Sequence, residues 1–374
     1  MTLYGDSLPD FPWDSLAPAK ERASAHGLID LSIGTPVDPT PEIAQRALIA
    51  ASDAPGYPTT IGTSELREAI VSWWARRRGA SHLSADNVLP TIGSKEMVAL
   101  LPALLGLGKG DVIVHPATAY PTYDVGARLA GATPHPSDGG PETWPAATRL
   151  VWVNSPGNPH GHVLAADQLR DIVRVARERG IIVASDECYA ELPMAEPYLS
   201  AGVPSILADE VCGADASGLL ALYSLSKQSN LAGYRAAFIS GDRGLIARLT
   251  HIRKHAGFLV PAPVQHAMSA VLRDDAHVEA QRETYRRRRE LLAPAIENAG
   301  LAIDPDCVAG LYLWAHCPGG EKTERASMDL VDEFADRGIL VAPGSFYGAA
   351  GFGYVRIALS ASDEQLAAAV ERLR

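Results

Sequence analysis

The residues best suited to chemistry stand together in Leu219–Arg235. An apolar run, Leu219-Leu220-Ala221-Leu222-Tyr223, ends in Ser224, Ser226 and Lys227, and Arg235 follows eight positions after the lysine. A lysine amine is protonated in water, with an ordinary pKa of about 10.4. In a desolvated or cationic pocket it loses that proton and can form a Schiff base with a carbonyl. Serine hydroxyls and the planar fork of an arginine suit a phosphate dianion. A carbonyl-binding amine beside a phosphate cradle points to pyridoxal 5′-phosphate. A lysine after a strand is more often a solvated loop residue, so the rest of the chain must supply a partner for the pyridine ring and further phosphate donors.

The surrounding pattern predicts an α/β domain with a mostly parallel sheet. Strands are expected at Asp111–His115, Arg149–Asn154, Ile181–Ser185, Leu219–Ser224 and Ala236–Ser240. Several are apolar without alternation, as strands covered on both faces are. Helices are expected from Thr63 or Ser64 to Arg78, over Lys95–Leu105, over Tyr123–Gly131 and over Ala166–Arg179. Beyond residue 258 the texture becomes α+β: a helical stretch Ala267–Asn298, strand-like Leu311–Ala315, Ile339–Val341 and Tyr354–Leu359, a helix over Ala326–Arg337, and a last helix opening on the capping box Ser362–Gln365. The expected division is 1–45 as an N-terminal arm and part of a small domain, 46–258 as the large domain, and 259–374 as the C-terminal small domain. Arg76-Arg77-Arg78 reads as a helix end and Arg286–Arg289 as an exposed helix face.

Ligands of open α/β sheets bind beyond the carboxyl ends of the strands. There the chain places Tyr120, Asn158, Asp186 with Tyr189, and Lys227. A carboxylate at Asp186 could keep a pyridine nitrogen protonated, so that the ring accepts electrons; it could equally cap a turn. Asn158 and Tyr189 could donate to the ring's phenolate oxygen, or be turn and packing residues. Tyr120 could stack on the ring. Gly93-Ser94-Lys95 before a helix is a cap or a phosphate-binding turn.

Asn154-Ser-Pro-Gly-Asn158-Pro-His-Gly161, Ser185-Asp186-Glu-Cys-Tyr189, Ser224-Leu-Ser-Lys227 and Arg235 together resemble the class I/II aminotransferases, the aspartate aminotransferase-like enzymes of fold type I. The resemblance runs from about Leu31 to the last helix. It implies an α/β fold with a large sheet domain and a smaller α+β domain, pyridoxal 5′-phosphate as cofactor, and ping-pong exchange between small amino acids and 2-oxo acids. It implies Lys227 as the Schiff-base lysine and proton shuttle, Asp186 against the pyridinium, and Asn158 and Tyr189 at the phenolate oxygen. Tyr120 would stack on the ring; Ser94, the backbone at Lys95, Ser224 and Arg235 would hold the phosphate. Arg356 would clamp the substrate α-carboxylate, with Gly34 nearby. Tyr57 would reach the neighbouring subunit's phosphate, which implies a homodimer. His160 stands where the family often has threonine, and Ser155 alters the spacing after Asn154.

Two turns, Gly93–Glu96 and Ser224–Arg235, look like the N-succinyldiaminopimelate aminotransferases in their actinobacterial form, with glutamate and 2-oxoglutarate as the exchanging pair. Lys95 is a candidate for the distal carboxylate. The alternatives are another aminotransferase, for aspartate, alanine or aromatic substrates, a C–S lyase of the same fold, or an effector-binding domain of a regulator. The formal net charge of −11 over 374 residues opposes a nucleic-acid partner. Four cysteines without a CxxC pair predict neither a zinc site nor a disulfide framework. Met1–Asp6 lacks leader features and no apolar stretch is long enough to span a bilayer, so a cytoplasmic protein is expected.

Overall fold

The computed structural model describes residues 8–374, and the stretch Met1–Asp6 lies outside them. A seven-stranded sheet forms the frame, in the order Val88–Ile92, Ala236–Gly241, Leu219–Ser224, Ile182–Asp186, Thr148–Asn154, Val112–His115 and Thr133–Pro136. Only Ala236–Gly241 runs antiparallel to its neighbours. Successive residues of each strand face opposite layers. Leu150 and Trp152 enter one core with Leu220 and Leu222, while Val151 and Val153 enter the other with Ala221 and Tyr223. No helix among the described residues is long and apolar enough to cross a membrane.

The two edge strands, Val88–Ile92 and Thr133–Pro136, were not expected as strands. Both contain proline, at Pro90 and at Pro134 and Pro136. Proline has no N–H for the ladder, which confines it to edges and makes such segments read as turns. The expected helix Ala267–Asn298 is two helices, Ala262–Leu272 and Ala276–Asn298, separated at Arg273–Asp275. The first packs with the large sheet's helices, against Glu42–Ala50 and Ser64–Arg78.

A second core gathers the N-terminal turn and helix Pro12–Ser24, the helix Ala276–Asn298 and a four-stranded sheet of Ala342–Pro343, Tyr354–Ala358, Tyr312–His316 and Ala302–Ile303. The strand pair Tyr312–His316 and Tyr354–Ala358 is antiparallel, with Trp314 opposite Arg356. Ile29–Asp30 pairs with Ile339–Leu340, tying the start of the chain to its C-terminal part.

Two arginine runs do more than decorate helix surfaces. In Ser64–Arg78, capped by the Thr63 hydroxyl, Arg76 pairs with Asp275 and Arg77 with Glu191. Arg78 is buried, 3.1 Å from the buried carboxylate of Glu187, and donates to the Val203 carbonyl. Likewise Arg288 is not on an exposed face; it is buried between Asp38 and Asp363. Glu187 also accepts from Ser185, Ser205 and the Ile206 N–H, so this network fixes the strand end that carries Asp186. Arg78→Leu would leave a buried charge unpaired, and a loss of about 3–5 kcal/mol of unfolding free energy is expected, measurable by urea titration.

Candidate active site

The carboxyl edge of the large sheet opens into a cavity of about 590 Å³. Its floor comes from strand ends: Ser94 after Val88–Ile92, Asn154 and Asn158 after Thr148–Asn154, Asp186, Cys188 and Tyr189 after Ile182–Asp186, and Ser224, Ser226 and Lys227 after Leu219–Ser224. Its roof comes from the second core, with Tyr312 and Arg356, and from the loop at Gly34. Lys95, Tyr120 and Arg235 complete the wall. Of the residues singled out from sequence, only Tyr57 lies elsewhere: its ring is 98% exposed in a loop outside the cavity.

Lys227 donates through Nζ to the Gly34 carbonyl. Burial depresses its pKa below the ordinary lysine value; Arg356 and Arg235 push the same way, while Tyr312 and Cys188 oppose them. Asp186 accepts from the Tyr123 hydroxyl at 2.9 Å and from the Cys188 N–H at 3.2 Å. Burial holds its carboxyl above the usual range, against those two hydrogen bonds. In the absence of a cation facing it, this is the expected state of a carboxyl at the bottom of a cavity.

Phosphate-binding types converge at one end. The helix Ser94–Leu104 opens there with free N–H groups. Ser224 and Ser226 share a hydrogen bond at 2.9 Å. The Arg235 guanidinium crosses over Gly93, whose φ is +74°, and a Cβ at that position would run into it. Only glycine meets both demands.

At the other end, Arg356 donates to Asn158 Oδ1 at 2.9 Å and to the Ser32 carbonyl at 2.6 Å. Its Nε is buried without a partner. With Oδ1 so engaged, Asn158 has Nδ2 left to donate into the cavity. Asn154 sets that loop: its Oδ1 accepts from the Asn158 N–H at 2.8 Å, and its Nδ2 donates to the Asp186 carbonyl at 3.0 Å. The guanidinium of Arg356 lies 4.0 Å from the centre of the Tyr312 ring, and the Tyr312 and Tyr189 hydroxyls are 3.1 Å apart.

Among the lining residues given no site role by the sequence reading are Tyr123, Tyr312, Cys188, Trp13 and Phe11. Tyr123 opens the helix Thr122–Leu129 just after the loop that carries Tyr120, a usable signal. Tyr312 enters only through the pairing of its strand with that of Arg356. Phe11 and Trp13 arrive by a long-range fold-back that nothing local announces.

The profile of aminotransferase class I and II matches residues 26–373. The chain belongs to this family. A probable aminotransferase of Mycobacterium tuberculosis is 54% identical over 370 residues, covering 98% of this chain and 85% of that protein. The 4-dedimethylamino-4-oxo-anhydrotetracycline transaminase OxyQ of Streptomyces rimosus is 52% identical, covering 98% and 99%. Among solved structures, a probable N-succinyldiaminopimelate aminotransferase of Thermus thermophilus superposes with a TM-score of 0.85 at 29% identity, covering 97% and 99%. The fold is thus the aspartate aminotransferase-like fold type I. As a class I and II aminotransferase the protein takes pyridoxal 5′-phosphate, and the cavity fits that group. Its lining combines donors for a phosphate, a carboxyl for a ring nitrogen and an amine with a depressed pKa.

Proposed function

We propose that this aminotransferase moves the amino group of glutamate to a 2-oxo acid bearing a second, distant carboxylate, with the N-succinyl keto precursor of diaminopimelate as the acceptor. One observation carries the reading. Four basic side chains, Lys227, Arg235, Arg356 and Lys95, line one cavity, where among the described residues Asp186 is the one carboxylate. Lys227, Arg235 and Arg356 are used by the aldehyde, the phosphate and the α-carboxylate. Lys95 remains; its Nζ lies 5.3 Å from the Phe11 ring centre and 5.6 Å from that of Tyr120, placed to meet a distal carboxylate.

The residues then have distinct tasks. The bound pyridine ring supplies the electron sink. Lys227 would hold the cofactor's aldehyde, and its amine is placed to move the substrate's α-proton. Asp186 would face the ring nitrogen, with Tyr123 and the Cys188 N–H fixing its two oxygens. Asn158 Nδ2 and Tyr189 would donate at the ring's phenolic oxygen, and Tyr120 would cover its face. The Ser94 and Lys95 N–H groups, Ser224 and Arg235 hold the phosphate. Arg356, with an unpartnered Nε, takes the α-carboxylate and turns the Cα–H toward Lys227 beside Gly34. Tyr57, fully exposed on its own subunit, serves the neighbouring cavity of a homodimer.

A second reading has its own support. Phe11, Trp13 and Tyr120 put aromatic rings at the cavity, and the S. rimosus relative is named for a polycyclic ketone. On this reading the acceptor is a fused-ring ketone. A half-reaction screen separates the two. Holoenzyme is mixed with single amino donors and the visible spectrum followed; the aminated enzyme is then offered each acceptor. Glutamate should convert the spectrum, and the succinylated keto acid should restore it. Restoration by the polycyclic ketone alone would overturn the first reading in favour of the second.

Arg356→Lys keeps the charge but loses the fork. A roughly 10- to 100-fold fall in kcat/KM for every α-amino donor is expected, read by steady-state kinetics.

A further inference from the structure

We propose that Tyr312 is a positioning residue for Tyr189: as a neutral phenol it donates its hydrogen bond to Tyr189, and so leaves the one hydroxyl proton of Tyr189 free for the cofactor's phenolic oxygen. This rests on the reading that Tyr189 is a partner of that oxygen.

The geometry forces a choice. The two hydroxyls are 3.1 Å apart, and both residues are buried. Each phenol has one proton. If Tyr189 donates to Tyr312, it has none for the cofactor; if Tyr312 donates, Tyr189 does. The surroundings favour the second arrangement. Tyr312 is faced by Arg356 from the neighbouring strand, its guanidinium 4.0 Å from the ring centre, and by Lys227, held at the Gly34 carbonyl. The Tyr312 hydroxyl packs against Gly34 so closely that a Cβ there would strike it. Of the other titratable neighbours, Tyr285 from the helix Ala276–Asn298 and Tyr347 from the turn Gly344–Tyr347 are phenols raised by burial, Cys188 beside Tyr189 is a thiol raised by burial, and the Cys307 thiol touches the Tyr312 carbonyl. Arg356 bears on both phenols, but its guanidinium stacks on the Tyr312 ring, and Lys227, while protonated, adds to Tyr312; the more strongly cation-faced member of a phenol pair is the stronger acid and the better donor. Burial alone raises the Tyr312 phenol, but Arg356, Lys227 and the Tyr189 contact bring it below the ordinary tyrosine range. Burial leaves Tyr189 well above it. At alkaline pH, Tyr312 therefore ionises first, and Tyr189 turns its proton to the new phenolate and away from the cofactor.

Tyr312→Phe tests this, because the ring under Arg356 is kept and only the hydroxyl goes. A donor to the phenolic oxygen lowers the proton affinity of the lysine–cofactor linkage, so a weakened Tyr189 must raise it. In the holoenzyme the pH midpoint of the visible cofactor band should move up by roughly half a unit to one unit. Tyr189→Phe should move it at least as far, and Tyr189→Phe/Tyr312→Phe no further than Tyr189→Phe. In the cofactor-free full-length chain, ultraviolet titration of tyrosinate should show an early-titrating phenol that Tyr312→Phe abolishes. A downward shift of the band would mean that Tyr189 donates to Tyr312, and would overturn the proposal. So would no shift, or a shift that persists when Tyr189 is phenylalanine. A wild-type protein with no visible cofactor band would instead end the reading of Tyr189 on which this rests, while the ultraviolet titration would still report on the phenol pair.

Discussion

Replacing Lys227 with alanine should lower transamination by at least about 10⁴-fold without unfolding the chain or emptying the site. The two parts of that expectation have separate causes. Lys227 is an amine suited both to bond an aldehyde and to move the substrate's α-proton, and burial with two neighbouring guanidiniums holds its pKa below the ordinary lysine value, which favours the free base. Retention of the cofactor follows from groups that the substitution does not touch: the N-terminus of Ser94–Leu104, the Ser224–Ser226 pair and Arg235. The strand Leu219–Ser224 that carries the lysine is buried along its whole length, so its position does not depend on the side chain beyond its end. Single-turnover spectroscopy with glutamate reads the loss, and equilibrium dialysis reads the retained cofactor. An alanine variant within tenfold of wild type would remove Lys227 from the chemistry.

The central strands of the large sheet could be read from the sequence because their signal is local. Continuous apolar runs such as Leu219–Tyr223 are buried on both faces, and chemistry collects where they stop. The edges were not legible, since Pro90, Pro134 and Pro136 look like turn residues until a neighbouring strand is known to exist. Charge runs were legible only in part. Arg76–Arg78 does close its helix, as its composition suggests, but Arg288 reads in sequence as part of an exposed face, and both Arg78 and Arg288 are buried against acids far along the chain, Glu187 and Asp38. Nothing within a helical window records that pairing.

The site divides along the same line. Lys227, Asp186, Asn158 and Arg235 sit at strand ends within short motifs, so residue type and position identify them together. Tyr312 and Trp13 reach the cavity only because the C-terminal sheet and the N-terminal segment fold over it. Their strands and turns have no distinguishing composition. They stand beside Arg356, Tyr312 at 4.0 Å and Trp13 at 5.8 Å from its guanidinium. The least legible part of the cavity is therefore the part that meets the substrate, and that is why the sequence speaks more plainly about the reaction than about its acceptor.

Asp186→Asn should be the next most damaging change, with turnover falling on the order of 10³-fold and the cofactor bound roughly 10- to 100-fold more weakly. Shape is nearly conserved, and Tyr123 can still donate to the amide oxygen. What is lost is the negative charge that keeps a ring nitrogen protonated and hence electron-withdrawing. The same substitution has a second, independent readout in the cofactor-free chain. There burial raises the Asp186 pKa above the ordinary 3.8. Between those two values the folded chain retains a proton that the unfolded chain has released, so the carboxyl's contribution to stability declines as pH rises through that window. Asparagine does not titrate. The variant should therefore gain on wild type in urea titrations as pH is raised from about 4 upward, and the gain should level off above the folded-state pKa. Loading the cofactor should reverse the order, because a cationic ring nitrogen stabilises the carboxylate and has no such partner in the amide. A variant that is more stable than wild type without cofactor and less stable with it would locate the ring nitrogen at Asp186 without any measurement of turnover. Equal stabilities in both states would place it elsewhere.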